Sequence, residues 1–191
     1  MTQETQVKDD VNQPKEDDDP FRKLDPYRVM SIIPLIPYQV IADVGCGAGK
    51  FTIPLGKYVF NGKIHALDSD KASLDAVAEQ SKLIRLSNIE YGELKNDKLP
   101  LDDNSVDGVF AAFSLHKASN TNDLLVDVYR CLRKSGWFAI LEWHRKRTKD
   151  GPSVRDRLDE PKLIESAKKI GFRLTSRHDM NDQHYMVVMR K

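Results

Sequence analysis

The sequence predicts an α/β protein, a doubly wound sheet of seven strands, mostly parallel, with an antiparallel strand at its C-terminal end. Three observations carry this. Short apolar runs alternate five times with stretches of helical periodicity, the pattern of parallel strands joined by crossover helices. One run, Val40-Ile41-Ala42-Asp43-Val44, passes through Gly45-Cys46-Gly47-Ala48-Gly49 directly into a helical segment. The last two strand-like runs, 172–177 and 184–190, are joined by a connection short enough for antiparallel neighbours.

Residues 1–19 hold seven acids (Glu4, Asp9, Asp10, Glu16 to Asp19) against Lys8 and Lys15, with few aliphatic side chains. They read as a disordered acidic tail ahead of a single domain over 20–191. Phe21, Leu24, Tyr27, Val29, Ile32 and Ile33 then recur at helical spacing, with Asp25-Pro26 as the start. A strand is expected over 39–44, and the helix after the glycine turn reaches Tyr58, with Phe51, Leu55 and Val59 on one face. Asn61-Gly62 turns into a strand over 63–67 that closes on Asp68-Ser69-Asp70. A helix over 71–86 turns Leu74, Val77, Ala78, Ser81, Leu83 and Ile84 inward, and a short strand follows at 89–91. Turn residues fill 92–105, ahead of a strand over 106–113. A helix over 122–133 is stopped by Lys134-Ser135-Gly136. Residues 137–143 are nearly all apolar, as in a strand covered on both faces. A helix over 160–170 ends at Gly171, and Tyr185 and Met186 fit edge-strand packing.

With 191 residues, 40% hydrophobic and 31% charged, the chain can bury a full core. No apolar run approaches the ~20 residues needed to span a bilayer. The first residues lack a basic-then-apolar signal pattern, so a cytoplasmic location is expected. Cys46 and Cys131 suggest neither a disulfide framework nor a metal site. The net charge of +1 hides an acidic tail and a basic remainder with a run from His144 to Lys149. That run suits a solvated loop or a surface that steers an anionic partner.

A buried strand that runs through glycines into a helix offers backbone N–H groups to a carboxylate or phosphate, and glycines let a ligand approach the backbone closely. The spacing excludes two common ligands. A dinucleotide fingerprint needs a small residue three positions after its second glycine, where this chain has Lys50. A phosphate-binding Walker loop needs Gly-Lys-Ser/Thr, which is absent. Asp68, nineteen residues beyond Gly49 at the end of the second strand, can accept both hydroxyls of a ribose.

These residues resemble class I S-adenosylmethionine-dependent methyltransferases, and most nearly the small type 11 branch that includes quinone-biosynthesis enzymes. The resemblance rests on Asp43-Val44-Gly45-Cys46-Gly47-Ala48-Gly49, Asp68, Leu99-Pro100-Leu101, Ser105-Val106-Asp107, His116 and Leu132-Arg133-Lys134-Ser135-Gly136-Trp137. It implies a Rossmann-like fold over about residues 21–191 and S-adenosyl-L-methionine as cofactor. It also implies that Asp43, Gly45, Cys46, Gly47 and Gly49 hold the methionine end, and that Asp68 holds the ribose with Ser69 beside the adenine. Glu93, Leu94 and Asn96 would pass under the adenine, and Phe113 with Ser114 would lie near the sulfonium. Many relatives carry an aspartate where this chain has Lys95, so either Glu93 or Asn96 would meet the adenine amino group. Direct displacement needs alignment and exclusion of water rather than a metal or an enzyme nucleophile.

On the acceptor side, His116 is a base or a packing histidine, and Glu142 and His144 flank Trp143 as base candidates or as a capped strand end. Tyr27 and Arg28 are candidates to cover the site, with packing on the sheet as the other reading of Tyr27. A small-molecule acceptor is expected. Nucleic acid is disfavoured because no aromatic-interleaved basic tract and no Asn-Pro-Pro-Tyr segment occurs. A single cysteine outside the glycine turn argues against arsenite. An RNA or protein acceptor, or a cofactor-binding scaffold without catalysis, are the alternatives.

Overall fold

The computed structural model describes residues 24–191. The acidic tail, the domain boundary at residue 20 and Phe21 lie outside the described residues. The strands are β1 (Val40–Val44), β2 (Lys63–Asp68), β3 (Ile89–Glu93), β4 (Val106–Ala112), β5 (Leu132–Trp143), β6 (Arg173–Asp179) and β7 (His184–Arg190). They form one sheet in the order β3-β2-β1-β4-β5-β7-β6. All pairs from β3 to β5 are parallel, and β7 runs antiparallel to both β5 and β6.

This order corrects one expectation. The hairpin folds its second strand back onto β5, so β7 is an inner strand and Tyr185 and Met186 are fully buried. The sequence contains the reason: β7 is almost wholly apolar, whereas β6 is mostly polar and suits a solvated edge.

Helices cover both faces. Alpha-helices α1 (Pro26–Met30), α2 (Thr52–Tyr58) and α3 (Lys71–Leu83) lie on one side, where Val29, Leu55 and Val77 pack with Ile41, Ile64 and Phe110. On the other, α4 (Thr121–Cys131) and α5 (Glu160–Ile170) press Leu125, Val128 and Leu163 onto Val109, Phe138 and Val187. Neighbours along a strand point to opposite faces, so Ile41 and Ala42 belong to different halves of the core. Burying each large apolar side chain contributes about 1.5–3 kcal/mol.

Side-chain caps fix the starts of α1, α3, α4 and α5. Asp25 accepts the amide of Tyr27, Asp70 those of Ala72 and Ser73, Asn120 those of Asn122 and Asp123, and Asp159 that of Lys162. Gly171, at φ 126°, stops α5 as expected.

The ends of three helices differ from expectation. Helix α1 is a five-residue segment, and Ile33 is buried beyond it. Helix α3 ends at Leu83 because Arg85 takes φ 57°, its amide bonding to Lys82 O and that of Leu86 to Ser81 O. This is a glycine-type stop made without glycine. Leu83 and Ile84 are therefore 78% and 43% exposed rather than inward. Helix α4 stops before Leu132, because the amides of Asn104 and Ser105 bond to the carbonyls of Arg130 and Cys131. Lys134-Ser135-Gly136 is thus part of β5, at a register shift opposite Val106–Gly108, and not a helix terminus.

Candidate functional site

The sheet order reverses between β1 and β4, and at the carboxyl ends of these strands a crevice must open. A cavity of about 920 Å³ lies there. Its wall brings together Gly45, Cys46, Gly47, Asp68, Ser69, Leu94, Asn96, Phe113 and Ser114 from the ends of four strands, β1 to β4, and the connections that follow them.

The glycine turn contributes shape more than donors. The amides of Gly45 and Cys46 both bond to Leu67 O, that of Gly49 to Cys46 O, and that of Gly47 to Asp68 Oδ2 at 2.8 Å. The sequence-based expectation of bare N–H groups at these four positions is corrected: they are spent within the protein. Gly45 adopts φ 73°, and a Cβ there would lie 2.4 Å from Ser114 Cβ, so only glycine lets β1 and β4 approach this closely. Gly45→Ala is expected to destabilise the protein by about 2–4 kcal/mol in urea unfolding, with relief by Ser114→Gly in the same background. Gly47 instead faces open space, leaving room for a ligand against the backbone.

Asp68 is the best-oriented polar group of the site. One carboxylate oxygen accepts the amide of Gly47 and the other that of Asp70 at 2.9 Å. A carboxylate has about four acceptor positions. Each oxygen thus keeps one for a ligand hydroxyl, on a group already locked in place. Ser114 Oγ, buried at the cavity wall, has no hydrogen-bond partner among the described residues. An orphaned hydroxyl, an anchored carboxylate and an apolar wall of Phe51, Leu94 and Phe113 fit a ligand with hydroxyl groups and a flat ring.

Asp43 is placed behind this wall rather than in it, 2% exposed, with Thr52 Oγ1 donating to its Oδ2 at 2.6 Å. Burial raises its pKa from 3.8 to about 7; the Thr52 hydrogen bond opposes the rise and the Asp68 charge adds to it. Burial also raises the Cys46 thiol, which keeps it protonated and unreactive. Gly49 packs against Val77, and it and Glu93 do not line the cavity. Asn96 does line it, followed by Asp97, whose Oδ2 accepts the amide of Ser119 at 2.7 Å and ties the β3–β4 loop across the cavity rim. Asn96 and Asp97 both take left-handed conformations (φ 52° and 58°), which these two residue types tolerate. The Asn-Asp dipeptide was the available signal for this clasp.

The acceptor-side candidates separate. His116 and Glu142 form a buried pair, Nδ1 to Oε2 at 2.9 Å, and the His116 amide also donates to Glu142 Oε1 at 3.2 Å. Neither lines the cavity, but the 3-10 turn Leu115–Lys117 that they fasten to β5 carries Lys117, which does. His144 turns away, pairing with Asp179 at 3.1 Å. Tyr27 is 63% exposed, so it does not pack on the sheet. A residue overlooked in the sequence, Arg157, is buried under the loop after β5 with its guanidinium 5.0 Å from the Trp143 ring.

A parallel sheet with one antiparallel inner strand, a glycine turn after β1 and an anchored acid after β2 define the class I S-adenosylmethionine-dependent methyltransferase fold. The comparisons agree with it. A family model described as a methyltransferase domain, type 11, matches residues 42–140, and the chain belongs to this family. A SAM-dependent methyltransferase from Aquifex aeolicus superposes with a TM-score of 0.84 at 28% identity, covering 91% of this chain and 94% of that one. The ubiquinone/menaquinone biosynthesis C-methyltransferase UbiE of Escherichia coli is 27% identical over 109 residues, 56% of this chain and 43% of its own length. The 24-methylenesterol C-methyltransferase 2 of Arabidopsis thaliana is 25% identical over 183 residues, 79% of this chain and 46% of its own. The chain spans less than half the length of these curated relatives. Among the described residues, no helix is long and apolar enough to cross a membrane.

Proposed function

We propose that the chain transfers a methyl group from S-adenosyl-L-methionine directly to a small-molecule acceptor. The observation that carries this reading is Asp68, held by the Gly47 and Asp70 amides with acceptor positions to spare at the mouth of the crevice. When bound, the cofactor supplies an electrophilic methyl group on sulfur, and the protein's task is orientation and exclusion of water.

In this reading Asp68 accepts the ribose hydroxyls, and Ser69, Leu94 and Asn96 flank the adenine. The turn Gly45–Gly47 admits the methionine chain, with Asp43 behind it. Ser114 Oγ donates to the ligand, and Phe113 lies near the transferred methyl. His116 and Glu142 act as a positioning pair that holds the 3-10 turn, and Lys117 with it, at the cavity edge. Relatives named as C-methyltransferases of quinone precursors and sterols support a small organic acceptor.

Calorimetric titration with S-adenosylmethionine tests the binding half of this claim, and no heat at high micromolar cofactor would sink it. Asp68→Ala is expected to weaken binding about 100-fold, the loss of about 3 kcal/mol from two charge-assisted hydrogen bonds. An unchanged affinity would move the ribose elsewhere. Turnover is read from S-adenosylhomocysteine released in a screen of small acceptors; a blank across quinol, phenol, sterol and amine classes would favour a non-catalytic scaffold.

A further inference from the structure

The loop after β5 has a chemistry that methyl transfer alone does not use. Residues 144–158 carry six lysines and arginines against two aspartates, Asp150 and Asp156. Arg157 organises them from inside. Its Nε donates to Pro152 O, its Nη1 to His144 O and Lys146 O, and its Nη2 to Thr148 Oγ1 and Asp150 O. A guanidinium has five N–H donors, and all five are used here. Arg157 therefore shapes the loop and has no donor left for a ligand.

Around this hub the loop forms an open hollow of about 520 Å³, with Arg147 and Arg155 in its wall. Both are exposed, and neither has an ion-pair partner among the described residues. Of the acids around the loop, Asp159 is paired with Arg145 at 3.1 Å and Asp179 with Arg177 and His144, while Asp156, which bonds to Ser153 Oγ at 2.8 Å, and Asp150 are outnumbered by the six basic residues. Two guanidinium groups in the wall of one hollow, neither in an ion pair, repel each other, and a shared anion relieves that repulsion. The planar fork of each suits a phosphate-type group better than a point charge would.

The hollow also stands beside the cofactor crevice. Phe113 lines the crevice, the Trp143 ring lies 5.5 Å from Phe113, and Gly151 and Arg157 in the wall of the hollow pack against that same Trp143 ring. One aromatic wall thus separates the two cavities at the same edge of the sheet. We propose that Arg147 and Arg155 form an anion subsite for a phosphate-type group carried on the small-molecule methyl acceptor. This rests on the methyltransferase reading above, and its test keeps the two apart.

Pyrophosphate is titrated into isotope-labelled protein and followed by the amide resonances of Gly151, Ser153 and Arg155, in parallel with calorimetry of S-adenosylhomocysteine. The wild type is expected to show saturable shifts at these amides. Arg147→Ala/Arg155→Ala should weaken pyrophosphate binding about tenfold or more, Arg147→Lys/Arg155→Lys should fall between, and S-adenosylhomocysteine affinity should not move. Equal pyrophosphate binding in the alanine variant, or no shifts in the wild type, overturns the subsite. Failure of the wild type to bind S-adenosylhomocysteine would strike the methyltransferase reading instead. In the acceptor screen, phosphorylated compounds should be favoured over their dephosphorylated counterparts only in the wild type. Pyrophosphate binding without that preference would assign the hollow to a free anion and overturn the acceptor assignment. Tight binding of a single-stranded RNA that the alanine variant abolishes would overturn it in favour of nucleic acid.

Discussion

Asp43→Asn is expected to stabilise the cofactor-free protein by about 4 kcal/mol above pH 7 and to change its stability little near pH 4. The sign follows from burial. The native carboxyl titrates at about 7 against 3.8 in a model peptide, chiefly because it is removed from water. Below the lower value both folded and unfolded chains carry the proton, and burial costs no charge. As pH rises between the two values the unfolded chain ionises first, so the native state loses stability progressively until the buried group ionises as well. Urea unfolding of wild type and variant at several pH values should show a gap that opens across this window and then stays constant. A gap independent of pH would show that Asp43 is ionised throughout. In the proposed function the methionine ammonium arrives in front of this carboxyl and favours its charged form. Cofactor affinity should then rise through pH 7 in the wild type and stay flat in the variant.

Arg157→Ala should cost about 3–5 kcal/mol, because it strands buried carbonyls in the loop and empties a space against Trp143. For a chain of this size that lowers the melting temperature by about 10 °C. Arg157→Lys should recover little, since one ammonium cannot reach acceptors spread from His144 to Pro152. Calorimetric melting of both variants checks this. A shift within about 2 °C for alanine would mean the loop holds itself without the guanidinium.

Periodicity made the strands legible, because each is short and apolar between turn residues, and the glycine turn with Asp68 located the crevice before any geometry was known. What the sequence concealed was long-range. Arg85 ends α3 in a conformation that its residue type does not advertise. The end of α4 is decided by amides from Asn104 and Ser105, more than twenty residues away. Asp43 and Asp68 both looked like ligand contacts; only packing shows that one lies behind the wall and the other in it. Arg157 lies beyond the basic run from His144 to Lys149, and nothing local in the sequence marks it as buried. His116 and Glu142 were single candidates on separate elements until the sheet set them 2.9 Å apart.

The inner position of β7 bears on how such a chain comes off the ribosome. Strand β5 is finished some forty residues before β7 is made, yet Glu142 waits for Tyr185 and Trp137 for Arg190. During that interval the long apolar stretch from Trp137 to Leu141 has one unpaired edge, a surface on which nascent chains stick to one another. Synthesis that pauses between the two strands would therefore favour clumping, and loss of residues 184–190 would leave an exposed edge rather than a slightly shorter sheet.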